Sequence, residues 1–138
     1  MGIRSDVAIA LKNNVLEGLS AESKKTLDEW FGQTSSVTKE GVLFYEEGVK
    51  WYNECYDDLR AFYKDIESNF DEEDYLIVAG CHDYPESSNG DSGGWYENPW
   101  EVYKSWSVSN TYDSKVTLFQ KSIKMFFCFY IQSTCCFI

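Results

Sequence analysis

Apolar and polar positions along the chain mark out one strand–helix–strand stretch between Gly41 and Gly80. Val42-Leu43-Phe44-Tyr45 is β-branched and aromatic, the pattern of a buried strand. Glu46-Glu47-Gly48 can turn the chain into a second short strand, Val49-Lys50-Trp51-Tyr52; a single strand with a glycine bulge is the competing reading. Asn53 suits a helix N-cap, and Glu54, Asp57 and Asp58 place negative charge near the positive helix end. Cys55, Leu59, Phe62, Tyr63 and Ile66 then recur at helical spacing, so the pattern predicts an amphipathic helix from Asn53 to Ser68. Asp71-Glu72-Glu73-Asp74 reads as a solvated turn, and Tyr75 to Ala79 as an apolar strand.

Before this stretch, Ser5 reads as the cap of a first helix with Val7, Leu11 and Val15 on one face. Ser20 caps a second helix through Leu27, Trp30 and Phe31, with Gly32 as its stop. After it, Cys81 to Pro99 forms a long loop rich in Asp, Ser, Asn and Gly. Trp100 to Val108 alternates with period two and predicts a strand, with Lys104 out of place on its apolar face. The fold class expected is α+β: N-terminal helices and a mainly antiparallel small sheet packed against one amphipathic helix. Residues 1–111 read as a single acidic domain. Residues 112–138 read as an apolar, cysteine-rich C-terminal tail, or as a last strand of the same domain.

Composition adds two constraints. Aromatic residues are 17% of the 138, well above what a disordered chain carries. The net charge of −11 is unevenly placed: −1 over residues 1–38, −13 over 39–101 and +3 over 102–138. The acidic middle repels nucleic acid and membrane phosphates and attracts basic protein surfaces. The five cysteines form no metal-binding or paired spacing, and no secretory hydrophobic region opens the chain, so a reducing, cytoplasmic setting is expected.

Three stretches invite a chemical reading. Gly90-Asp91-Ser92-Gly93-Gly94 matches the nucleophile segment of chymotrypsin-like proteases, with Ser92 as nucleophile and His82, the single histidine, as base. The chain is too short for that family's two barrels, and His82 stands only ten residues before Ser92. Cys81-His82-Asp83 offers three ligand types in a row, but neighbouring side chains on an extended chain point apart. The tail's apolar run, Met125 to Ile131, is much shorter than the roughly 20 residues of a membrane-spanning helix. No catalytic residue, metal or cofactor is assigned.

Met1 to Ala8, Val42 to Tyr45, Val49 to Tyr52, Glu73-Asp74-Tyr75 and Gly94-Trp95 with Asn98-Pro99 together carry a likeness. In these phrases, over about residues 1–108, the chain resembles a group of small acidic proteins encoded by tailed bacteriophages. The resemblance imports no active site, and the tail beyond Thr111 departs from it. That group has no agreed activity to carry over; it is the acidic body from Glu40 to Glu101, whose carboxylates can stand in for phosphates, that leads to the expectation of a non-enzymatic phage-type accessory protein in the cytoplasm of a bacterial host. Such a protein would bind a host protein with a basic surface, as a nucleic-acid mimic or inhibitor, without binding nucleic acid itself. The expected contacts are Glu46, Glu47, Asp71, Glu72, Glu73 and Asp74, with Trp95 as aromatic anchor. The alternatives are a small hydrolase or metal-binding enzyme using the 81–94 loop, and a membrane-associated protein using the tail.

Overall fold

The computed structural model describes residues 3–81, 90–104 and 108–111. It is an α+β fold built on a five-stranded sheet, with the helices on one face and an irregular aromatic segment on the other. His82, Asp83, Trp106 and the whole 112–138 tail, with the readings placed on them, lie outside the described residues.

The first correction concerns the N-terminus. Ser5–Lys12 is a strand, β1, and it is the centre of the sheet; only Asn13–Gly18 (α1) is helical. Val7, Leu11 and Val15 satisfy a helical period, but Val7 to Leu11 are all fully buried. A strand covered on both faces loses its polar alternation and becomes a plain apolar run. Val7, Ile9 and Leu11 face the helices, while Ala8 and Ala10 face the opposite layer.

The second helix, α2 (Ala21–Phe31), follows as the sequence expects. The Ser20 hydroxyl accepts from the Ser23 N–H, and Gly32 ends the helix at φ 76°. After the short edge strand β2 (Ser36–Val37), β3 runs unbroken over Gly41–Val49. Val49 to Tyr52 is therefore not a second strand. Gly48 sits at φ 67° where the β1–β3 register shifts, which is the bulge reading. The helix α3 is Asp57–Asn69, so it starts four residues after Asn53 and has no side-chain cap. Leu59, Phe62, Tyr63 and Ile66 are buried as the stripe predicts, whereas Cys55 precedes the helix and is exposed.

A single 3-10 turn, Glu72–Asp74, leads into β4 (Tyr75–Cys81), whose seven residues are all buried. Both β3 and β4 run antiparallel to β1, so they are parallel to each other and α3 crosses over between them. Two-residue β5 (Ser92–Gly93) pairs with β4, giving the sheet order β2-β3-β1-β4-β5. The strand expected from Trp100 to Val108 is instead a buried turn followed by the small ribbon β6 (Tyr103–Lys104) and β7 (Val108–Ser109). Asn98 builds that turn: its side-chain oxygen accepts from the Trp100 and Val102 N–H groups, and its amide donates to the Trp95 carbonyl.

Two cores result. Phe31, Phe44, Trp51, Leu59, Phe62 and Ile66 fill the helix side. Trp95, Trp100, Val102 and Val108 cover the other face, over Ala8, Ala10, Leu43, Leu76 and Val78. The small side chains of β1 make room for two indoles that meet edge to face at 6.1 Å.

Candidate functional site

The Gly90–Gly94 segment, the nearest match to catalytic sequence, is held by structural bonds. The Ser92 hydroxyl donates to Glu67 Oε2 at 2.7 Å and lies 3.5 Å from the Tyr75 hydroxyl. Asp91 accepts from the Ala79 N–H and pairs with Lys104. The Gly94 N–H donates to the carbonyls of Glu72 and Tyr75, which fastens the end of the segment to the acidic turn and to β4. Gly93 has φ 83°, and a Cβ there would overlap the Tyr75 carbonyl, so close packing accounts for this glycine. Gly90 has φ 98°, and its carbonyl accepts from the buried Tyr63 hydroxyl at 2.6 Å. Burial pushes that hydroxyl far above the usual tyrosine range. The Trp51 N–H bonded to it works the other way, while Asp91 and Glu67 add to the rise.

The expected contact carboxylates do not converge. Glu46 lies opposite Val7 near the start of β1, and Tyr75 lies opposite Leu11 near its end. At about 3.3 Å per residue, roughly 13 Å of strand separates the two groups. Glu46 and Glu47 are exposed, and Glu47 accepts from the Tyr45 hydroxyl at 3.0 Å. Asp71, Glu72 and Glu73 are exposed at the 3-10 turn. Asp74 is turned inward: it pairs with Lys12 at 3.1 Å and accepts from the Asn14 amide at 3.2 Å. The Lys12 bond, more than Asn14, holds the Asp74 carboxyl below its ordinary range, against a smaller upward push from burial.

Trp95 is also corrected. It is only 6% exposed, packed on Trp100 with the Lys12 ammonium 5.6 Å from its ring centre. The exposed ring is the next residue, Tyr96, at 71%. A Cβ built on Gly94 would stand 3.6 Å from the Glu72 carbonyl and 3.7 Å from the Tyr96 ring, so Tyr96 flanks the acidic turn. Nothing in the local pattern distinguished the two rings. In an adjacent pair at a turn one must face out, and the larger indole took the space above Ala8 and Ala10.

A second aromatic surface joins Trp30, Tyr52 and Tyr56. The tyrosine rings lie parallel at 6.0 Å, and Trp30 meets Tyr56 edge-on at 5.5 Å. Trp30 donates to Asp58, and Tyr52 to the Ile3 carbonyl. Between α2 and α3 runs an open groove lined by Ser20, Ser23, Phe62 and Asp65, among others. Burial pushes the Asp65 carboxyl up, but bonds from the Ser23 hydroxyl, the Ser20 N–H and the Asn69 amide together hold it below its ordinary range.

Among the described residues, no group of three or more His, Cys, Asp or Glu side chains could hold a metal ion. Nor, among them, is any helix long and apolar enough to cross a membrane. Comparisons with protein-family models, curated proteins and solved structures find no match.

Proposed function

We propose that this protein acts by binding the basic surface of another protein, its carboxylates standing in for nucleic-acid phosphates. The observation that carries the reading is the corner where Asp71, Glu72 and Glu73 lie exposed beside the exposed Tyr96, on a chain of net charge −11. Carboxylates on such a corner steer a basic partner and set the salt dependence of binding, while the ring supplies contact area at little entropic cost. Glu46 and Glu47 form a separate acidic site at the other end of β1. The resemblance to small acidic tailed-phage proteins supports placing the partner in a bacterial cytoplasm, with the protein as an accessory factor that blocks a host function.

The test is capture from nuclease-treated bacterial lysate on the immobilised protein, eluted with rising salt. The native chain should retain a discrete basic protein that leaves at moderate salt. The triple variant Asp71→Lys, Glu72→Lys, Glu73→Lys should lose it, and Tyr96→Ala should weaken it by about fivefold or more. Equal retention by the native chain and the triple variant would refute this corner as the contact surface.

A further inference from the structure

Gly94 differs from the other described glycines, which either have positive φ or leave little room for a Cβ. Its φ lies outside the left-handed region, so no backbone strain calls for glycine there. A Cβ at Gly94 would make only ordinary contacts, 3.6 Å to the Glu72 carbonyl oxygen and 3.7 Å to the Tyr96 ring. Alanine would fit. The missing side chain therefore leaves a slot beside the ring that the fold itself does not use.

The two walls of the slot differ in chemistry. On one side the Glu72 carbonyl accepts the Gly94 N–H at 2.6 Å and keeps a second lone pair. On the other stands the Tyr96 ring, 71% exposed, while the neighbouring Trp95 is packed away. The carboxylates of Asp71, Glu72 and Glu73 are exposed on the same turn as that carbonyl. An anion is repelled by these groups and a neutral ligand gains nothing from them, so the slot suits a cation. A guanidinium uses both walls: it is planar and weakly hydrated, its face stacks on the ring, and its edge donors reach the carbonyl and a carboxylate. An ammonium is compact and strongly hydrated, and has no face to lay against the ring.

We propose that the slot over Gly94 takes an arginine guanidinium, so that arginine rather than lysine is the residue by which the basic partner is held at this corner. The inference rests on the reading above, that the corner binds a basic protein surface.

Blocked hexa-arginine and hexa-lysine peptides carry the same charge, so the ratio of their affinities separates the slot from the field of the carboxylates. Both are titrated against the native chain and its variants by fluorescence anisotropy. The native chain should bind hexa-arginine about fivefold tighter than hexa-lysine. Gly94→Ala fills the slot with a methyl group and Tyr96→Ala removes one wall; each should bring the ratio to within about twofold of one. The triple variant Asp71→Lys, Glu72→Lys, Glu73→Lys should lose both peptides. An undiminished ratio in Gly94→Ala would overturn the slot, as would equal binding of the two peptides by the native chain, and in either case the basic-partner reading stands. Binding of neither peptide by the native chain would overturn that reading and the slot with it. Should Gly94→Ala not fold, Tyr96→Phe against Tyr96→Ala decides: the phenyl ring should keep the preference and alanine should lose it, and equal ratios in the two would overturn the proposal.

Discussion

Replacing Tyr63 with phenylalanine removes one oxygen and leaves two buried groups without partners. The hydroxyl accepts from Trp51 Nε1 at 2.8 Å and donates to the Gly90 carbonyl at 2.6 Å, and both bonds are buried. An orphaned buried donor or acceptor costs about 1–3 kcal/mol, so the pair should cost about 3 kcal/mol after allowing for the easier desolvation of the phenyl ring. For a domain of this size that is a fall of about 10 °C in Tm. Urea unfolding followed by far-ultraviolet circular dichroism is the assay, because indole fluorescence would itself respond to the change beside Trp51. Trp51→Phe combined with Tyr63→Phe leaves only Gly90 unpaired. The double variant should therefore be less destabilised than the sum of the singles, by about 1–2 kcal/mol. A Tyr63→Phe loss within about 0.5 kcal/mol of zero, or strict additivity, would refute the reasoning. The same hydroxyl sets an alkaline limit. Its folded-state value is raised, so the stability it contributes is complete below the ordinary tyrosine range near pH 10 and is lost as pH climbs beyond it.

At the other end of the pH scale, Asp65 has a lowered folded-state value, so its contribution is present above about pH 4 and fades as pH falls further. Asp65→Ala should cost about 2 kcal/mol at pH 7, and stability measured at pH 2 to 3 should show the native chain and the variant converging. Gly93→Ala places a Cβ against the Tyr75 carbonyl at φ 83° and should cost about 3 kcal/mol in urea unfolding; a neutral result would mean that the Gly90–Gly94 segment is not held as described.

Local chemistry was readable wherever it acts over a few residues. The Ser20 cap, the Gly32 stop, the Leu59-Phe62-Tyr63-Ile66 stripe and the Tyr75 strand all belong to this class. The N-terminal strand was not, because Ala8 and Ala10 are small for the sake of Trp95 and Trp100, rings about 90 residues away in sequence. Without that partner layer, a run of Val, Ala, Ile and Leu fits a helix as well as a strand. The acidic site was half readable for the same reason. That Asp71 to Asp74 is a charged turn follows from its composition. That Asp74 turns inward depends on Lys12, 62 residues earlier, and that Trp95 is buried while Tyr96 is exposed depends on the face of β1.

The central position of β1 also bears on synthesis. The strand that every other layer rests on is made first, and its two neighbours appear much later, β3 starting at Gly41 and β4 ending at Cys81. At about 5–20 residues per second, β4 is complete roughly 4–14 s after β1. Until β3 is complete at Val49 the apolar run from Val7 to Leu11 has no strand to pair with, its second edge waits for β4, and all of its pairing is long-range. Chains of this kind close slowly and expose sticky backbone while they wait. The yield should therefore respond to translation speed between codons 12 and 81 more than to changes elsewhere.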